Sequence, residues 1–170
     1  AYGYGSKVEA NDWWLHDDYG NRIGEEGNLW FTNLATVCRP DGSGKILAAW
    51  LADYMANEIL GSGLWDGILI DGMFENPVWI NNHDRYFATP GAAIDANEDG
   101  IGDSAESLYV WWRDGVETLL SELRARIGYS YVSSQTARTT CHSISTEAYV
   151  RIFPTCMATG KPTCFQILAI

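Results

Sequence analysis

Asp95-Ala96-Asn97-Glu98-Asp99-Gly100-Ile101-Gly102-Asp103-Ser104-Ala105-Glu106 carries oxygen-bearing side chains at positions 1, 3, 5, 9 and 12, with glycine at position 6. This is the ligand spacing of a twelve-residue calcium loop. Asp95, Asn97, Asp99, Asp103 and Glu106 would supply side-chain oxygens, and Ile101 its backbone carbonyl. Calcium takes six to eight hard oxygens, and Gly100 provides the bend that turns both halves of the loop toward one ion. Position 8 is Gly102 where paired calcium hands carry an aliphatic residue, so a solitary structural Ca2+ site is expected. The reading without metal makes Asp103 and Glu106 a capping box for the helix that follows.

Asp71 is the second candidate for chemistry. It closes Trp65-Asp66-Gly67-Ile68-Leu69-Ile70-Asp71-Gly72, where three consecutive aliphatic residues are too few for a helix and suit a short strand covered on both faces. Ligands in α/β folds bind at the carboxyl ends of strands, which is where this carboxylate would stand. As a turn residue or helix cap it would need no chemistry at all. Glu75 is the nearest further carboxylate, with Asp17 and Glu9 behind it. Two neighbouring carboxyl groups can divide proton donation and nucleophilic or general-base work between them.

Trp13, Trp14 and Trp79 offer flat rings that suit either the core or the apolar face of a sugar. His16 and Asp17 follow Trp13-Trp14-Leu15 and stand as substrate contacts, or as an ordinary surface pair. After Gly72 about thirty residues pass before the next clear helix, long for an α/β loop and rich in Glu75, Trp79, His83, Asp84 and Arg85. His83 is a further substrate contact there; it makes no zinc site with Asp84, since no second His or Cys stands at ligand spacing.

The elements that must position these residues are partly written in the spacing. Tyr2, Tyr4 and Val8 alternate weakly, as in a strand, and Leu29 to Val37 reads as extended. Leu47, Trp50, Leu51, Tyr54, Met55 and Ile59 recur at helical steps, with Ser43 as a cap before them and Gly61 and Gly63 as a stop. Leu108, Trp111, Trp112, Val116, Leu119, Leu120, Leu123 and Ile127 predict a second helix from about Ala105 to Ile127, ended by Gly128. From residue 133 to 170 acids and Trp become scarce and Ser, Thr and Cys frequent. A domain over 1–132 and an atypical tail over 133–170 are therefore expected, the tail being either foreign to the domain, as after a reading-frame shift, or an ordinary polar segment.

The 170 residues are 46% hydrophobic, enough for a buried core, and 22 acidic against 11 basic side chains give a net charge of −11. Such a surface disfavours nucleic acid and anionic membranes as general partners. No run of eighteen apolar residues marks a membrane span, and no basic-then-apolar opening marks a signal peptide. The four cysteines have no zinc spacing, and their pairing is not legible.

Trp13-Trp14-Leu15-His16-Asp17, Asp66-Gly67-Ile68-Leu69-Ile70-Asp71, Ile94-Asp95 through Asp103, and Leu119-Leu120 through Leu123-Arg124 with Gly128 resemble the glycoside-hydrolase-like TIM-barrel family. The likeness spans roughly Ala1 to Gly128. It implies a partial (β/α)8 TIM-barrel-like α/β fold with parallel strands and a long βα loop. It also implies a glycoside hydrolase with Asp71 on the catalytic face, an oligo- or polysaccharide substrate and a secreted or extracellular setting. A full barrel needs about 200 to 250 residues, so the chain would be an interior fragment with early and late strands missing. Two other classes stay open: a non-catalytic, calcium-stabilised carbohydrate-binding or structural module, and a complete small α/β hydrolase using a metal held by Asp71, His83 and Asp84.

Overall fold

The computed structural model describes residues 3–25, 29–65, 67–71 and 76–128, together with two strands at 150–151 and 164–168. The chain forms two compact units, Ala1–Leu51 with Glu75–Leu119, and Ala52–Phe74 with Leu120–Ile170.

In the first unit the chain opens with helix α1 (Tyr4–Asn11), where alternation predicts a strand. Val8 is its buried residue, so one anchored position holds it and the even-spaced tyrosines carry no sheet periodicity. Asp12, at φ 53°, ends the helix in the left-handed region, and its N–H closes onto the Glu9 and Val8 carbonyls. Strand β1 (His16–Asp17), hairpin strands β2 (Gly24–Glu25) and β3 (Leu29–Trp30), and strand β5 (Ile94–Asp95) follow, with strand β4 (Gly67–Asp71) lying in the other unit. β1 pairs with β5 antiparallel, His16 opposite Asp95 and Asp17 opposite Ile94, and β2 pairs with β3 antiparallel. The short strands cooperate through backbone bonds such as Leu15 N–H to the Phe31 carbonyl (2.8 Å) and Ile23 N–H to the Leu15 carbonyl (2.9 Å).

Trp13, Leu15, Ile23, Leu34, Ile94 and Leu108 are fully buried and form the apolar interior of this unit. The Trp13 ring lies 5.6 Å from that of Trp50 on helix α2 (Leu47–Tyr54) in a tilted pair, and the Lys7 ammonium lies 5.6 Å from the Trp13 ring centre. Gly115 of helix α3 (Ala105–Ile127) lets that helix come down onto the chain at Leu34. A Cβ at Gly115 would lie 1.7 Å from the Leu34 carbonyl oxygen, so only glycine fits without backbone movement. Both helices match the apolar spacing: Leu47, Leu51, Met55 and Ile59 are buried on one stripe, and Leu108, Trp112, Leu119 and Leu123 on the other. After Tyr54 the first helix widens into a π turn (Met55–Ile59) and tightens into a 3₁₀ turn (Leu60–Ser62) before Gly63 stops it at φ 69°. Ser43 does not cap this helix. Its N–H and hydroxyl both donate to Asp41, whose other oxygen takes the Lys7 ammonium at 3.0 Å.

In the second unit, strand β4 (Gly67–Asp71) is the central strand of three, between β6 (Val150–Arg151) and β7 (Cys164–Leu168). Ile68 and Ile70 are fully buried, as expected of a central strand. β6 runs antiparallel to β4 and β7 parallel, with Asp71 opposite Leu168. The Arg126 guanidinium pairs with Asp53 at 2.6 Å and with Glu122 one turn back on α3.

These pairings overturn the (β/α)8 expectation. A barrel sheet is built of consecutive parallel strands, each followed by a helix. Among the described residues three of the four strand pairings are antiparallel, and the single parallel one joins β4 to a strand almost a hundred residues later. The aliphatic run at Ile68 to Ile70 signals a buried strand, and burial on both faces arises as readily in a mixed sheet as in a parallel one. No helix among the described residues is long and apolar enough to cross a membrane.

Candidate functional site

The loop from Asp95 to Glu106 is held open by its own acids. Asp95 is 3% exposed at the end of β5 and accepts from the backbone N–H groups of Asp99 (3.1 Å) and Gly100 (2.8 Å). Asn97 accepts from Asp99 N–H at 3.1 Å, and Asp99 from Ile101 N–H at 2.9 Å. Gly100 takes φ 83°, the bend its position in the motif demands. Asp103 reaches back across the loop to accept from Ala96 N–H at 2.6 Å, while its own N–H donates to the Ile94 carbonyl at 2.7 Å. The buried Asn33 amide clamps the same segment from outside through the Ala96 carbonyl at 2.7 Å.

This folding draws like charges together. Burial raises the Asp103 carboxyl above the ordinary carboxylate range, and the negative charges of Asp95 and Asp99 raise it further against the pull of the Ala96 N–H. Glu106 is exposed on the first turn of α3, and the cap there is Ser104, whose hydroxyl accepts from Ser107 N–H at 3.1 Å. The capping box of Asp103 and Glu106 therefore does not form. Among the described residues no group of three or more His, Cys, Asp or Glu side chains is already arranged as a metal cage. The donor set still suits a hard cation. Asp95, Asn97, Asp99 and Asp103 bring hard oxygens to one loop, and each carboxylate has lone pairs beyond those its N–H partners use.

A second cluster surrounds Trp14. Glu9 accepts from the Trp14 indole N–H at 3.0 Å and from the Arg22 guanidinium at 2.8 Å, and these two bonds hold its carboxyl below the ordinary range. The same Arg22 nitrogen stands 4.0 Å from Asp12, and the guanidinium covers the Trp14 ring at 5.1 Å. His16 Nε2 lies 3.6 Å from Asp12. Asp17 points elsewhere. It is 1% exposed and closes its own turn by accepting from Tyr19 N–H (3.0 Å) and Asn21 N–H (2.8 Å). Trp13 is buried, with its indole N–H on the Arg39 carbonyl at 2.6 Å, so its ring belongs to the core.

Trp79 and His83 come together on the 3₁₀ turn Pro77–Asn82 and the residue after it, which Asn76 caps by accepting from Val78 N–H at 2.8 Å. The half-buried Trp79 meets His83 at 5.8 Å, Tyr86 at 5.6 Å and Phe31 at 6.5 Å, each edge to face. Next to it is an open cleft of about 440 Å³ bounded by Asn21, Arg22, Trp30, Arg85, Tyr86 and Phe87. Arg22 and Trp30 escape sequence reasoning because each is unremarkable alone; the cleft joins segments some sixty residues apart. Of the catalytic candidates, Asp71 ends β4 as expected, while its side chain and all of Glu75 lie outside the described residues. Cys38 carries a free, buried thiol that burial pushes up to about 11, which makes it inert rather than nucleophilic.

Comparison with known proteins gives no matching family model, no matching curated protein and no matching solved structure.

Proposed function

We propose that the first unit is a non-catalytic, calcium-stabilised carbohydrate-binding module. The observation that carries the calcium part is the run of oxygen side chains folded about the Gly100 bend at φ 83°, where burial first and then the charges of Asp95 and Asp99 raise the Asp103 carboxyl. A divalent cation would relieve that repulsion. Asp95, Asn97, Asp99, Asp103 and Glu106, with the Ile101 carbonyl, are the residues that would hold it, and its contribution would be to brace the loop against β1. The half-buried rings of Trp14 and Trp79, each bordered by polar groups, support the sugar-binding part. The state of Glu9 supports binding over hydrolysis. A glycosidase needs one carboxyl kept protonated, and the Arg22 and Trp14 bonds hold Glu9 below the ordinary range. The test is a glycan-binding screen of the full chain with calcium and with chelator, scored beside product release. Binding that needs calcium and releases no product supports this reading. Binding of no glycan removes the sugar part, and turnover removes the non-catalytic part.

One observation keeps a second reading, glycoside hydrolysis, alongside the first: Asp71 stands at the end of a buried central strand. In that reading Asp71 is one carboxyl of the hydrolytic pair and Glu75 the other. Asp71→Asn would then abolish product release and leave the unfolding curve unchanged. Retained release by that variant removes the role.

A further inference from the structure

We infer that Asn81 is a positioning residue that ties the calcium loop to the Trp79 and His83 turn, so that an ion held by the loop sets the aromatic face offered to a sugar. This rests on the calcium part of the proposed function and names what the ion regulates. Trp79 and Asn81 share the 3₁₀ turn Pro77–Asn82, and His83 follows it directly. The Asn81 side-chain oxygen accepts from Ile94 N–H at 3.0 Å, across thirteen residues of sequence. Ile94 opens β5 and immediately precedes Asp95, the buried acid at the start of the loop. The Ile94 carbonyl accepts from Asp103 N–H at 2.7 Å. Both peptide groups of Ile94 are thus committed, the N–H to the turn and the carbonyl to a loop acid.

The neighbouring residues leave the strand little freedom to absorb a movement. Ala93 N–H donates to the Asp18 carboxylate at 3.0 Å, and the Ala93 carbonyl accepts from Asp18 N–H at 3.0 Å. Beyond Asp95, Ala96 N–H donates to Asp103 at 2.6 Å and the Ala96 carbonyl accepts from the Asn33 amide at 2.7 Å. An ion bound by Asp95 and Asp103 acts on Ile94 from two directions, and Asn81 passes that constraint to the turn. The rings are placed to register it: His83 meets Trp79 at 5.8 Å and Tyr86 at 5.9 Å, both edge to face. Linkage makes the effect mutual, so a sugar held on the turn would tighten calcium by the factor that calcium tightens the sugar. If Asn81 only satisfied the Ile94 N–H, its removal would cost stability and leave the response of the rings to calcium unchanged.

The experiment follows the His83 imidazole C–H signals of the chelator-treated full chain by NMR during a calcium titration, with calorimetry in parallel. His83→Gln assigns the signals by their loss. In the unaltered chain they are expected to shift along the binding curve that the calcium heat describes. Asn81→Ala is expected to lose the shift and to weaken calcium about fivefold, the low end of ordinary coupling between sites. Asn81→Asp keeps the acceptor oxygen and is expected to retain the shift. Calcium heat with unmoved His83 signals in the unaltered chain overturns this inference and leaves the calcium reading standing, whether or not a variant folds. Absence of calcium heat overturns both. A shift of full size in Asn81→Ala overturns the role of Asn81, as does loss of the shift in Asn81→Asp.

Discussion

The Asp95 to Asp103 loop and the Glu9, Asp12 and Arg22 cluster use the same kinds of residue and meet their charge in opposite ways. In the loop the carboxylates are tied to backbone N–H groups, which fixes their positions and leaves their mutual repulsion in place. Around Trp14 a guanidinium supplied by the protein sits between two carboxylates and lowers the Glu9 carboxyl. One acidic cluster thus keeps its like charges unneutralised and the other contains its own cation. Acidic residues alone do not make a metal site; what matters is whether the fold also delivers the neutralising group.

The largest effect should come from the buried end of the loop. Asp95→Ala removes a buried carboxylate that accepts from Gly100 N–H and, together with Asn97, from Asp99 N–H, and is expected to cost about 2 to 3 kcal/mol in denaturant unfolding, even in chelator. A loss below about 0.5 kcal/mol would mean that the loop is not organised by this carboxylate.

Calcium should have the next largest effect. At about a hundred times its dissociation constant, a cation that binds only the folded chain adds about 2.7 kcal/mol. Asp103→Asn should remove that gain.

In chelator the sign reverses. The folded Asp103 carboxyl is raised, so the folded chain holds its proton more tightly than the unfolded one. Stability from this group is therefore present below the unfolded value and lost as pH rises through the folded one. Asp103→Asn in chelator should flatten that fall, and a melting curve with unchanged pH dependence would break the contrast between the clusters.

The smallest effect belongs to Glu9→Gln. Glu9 itself is exposed, so the melting temperature should scarcely move and any calcium increment should be fully retained, as read by parallel scans with and without the ion. A loss of the calcium increment in this variant would mean that the two clusters are one system.

How much of this was legible in the chain depended on how local the signal was. The long helix is bounded where the Leu108 to Leu123 stripe begins to repeat and where Gly128, at φ 66°, stops it. The loop's glycine bend and the strand ending at Asp71 are likewise set by neighbouring residues. The barrel expectation failed because Ile68, Leu69 and Ile70 report burial, and burial does not state the direction of the neighbouring strand. The opening helix was hidden because Val8 is its single buried residue, too little to show a helical period over the glycines. The cleft was hidden for a different reason. Arg22, Trp30 and Arg85 line one cleft only when the β2 and β3 strands and the Asp84–Tyr86 turn are brought side by side.

We propose that calcium completes the Asp95 to Glu106 loop. Calorimetric titration of the chelator-treated chain with calcium tests it most directly. One saturable site per chain, stronger for calcium than for magnesium and absent in Asp103→Asn, is the expected result. No saturable heat, together with a melting curve that calcium does not move, would contradict it.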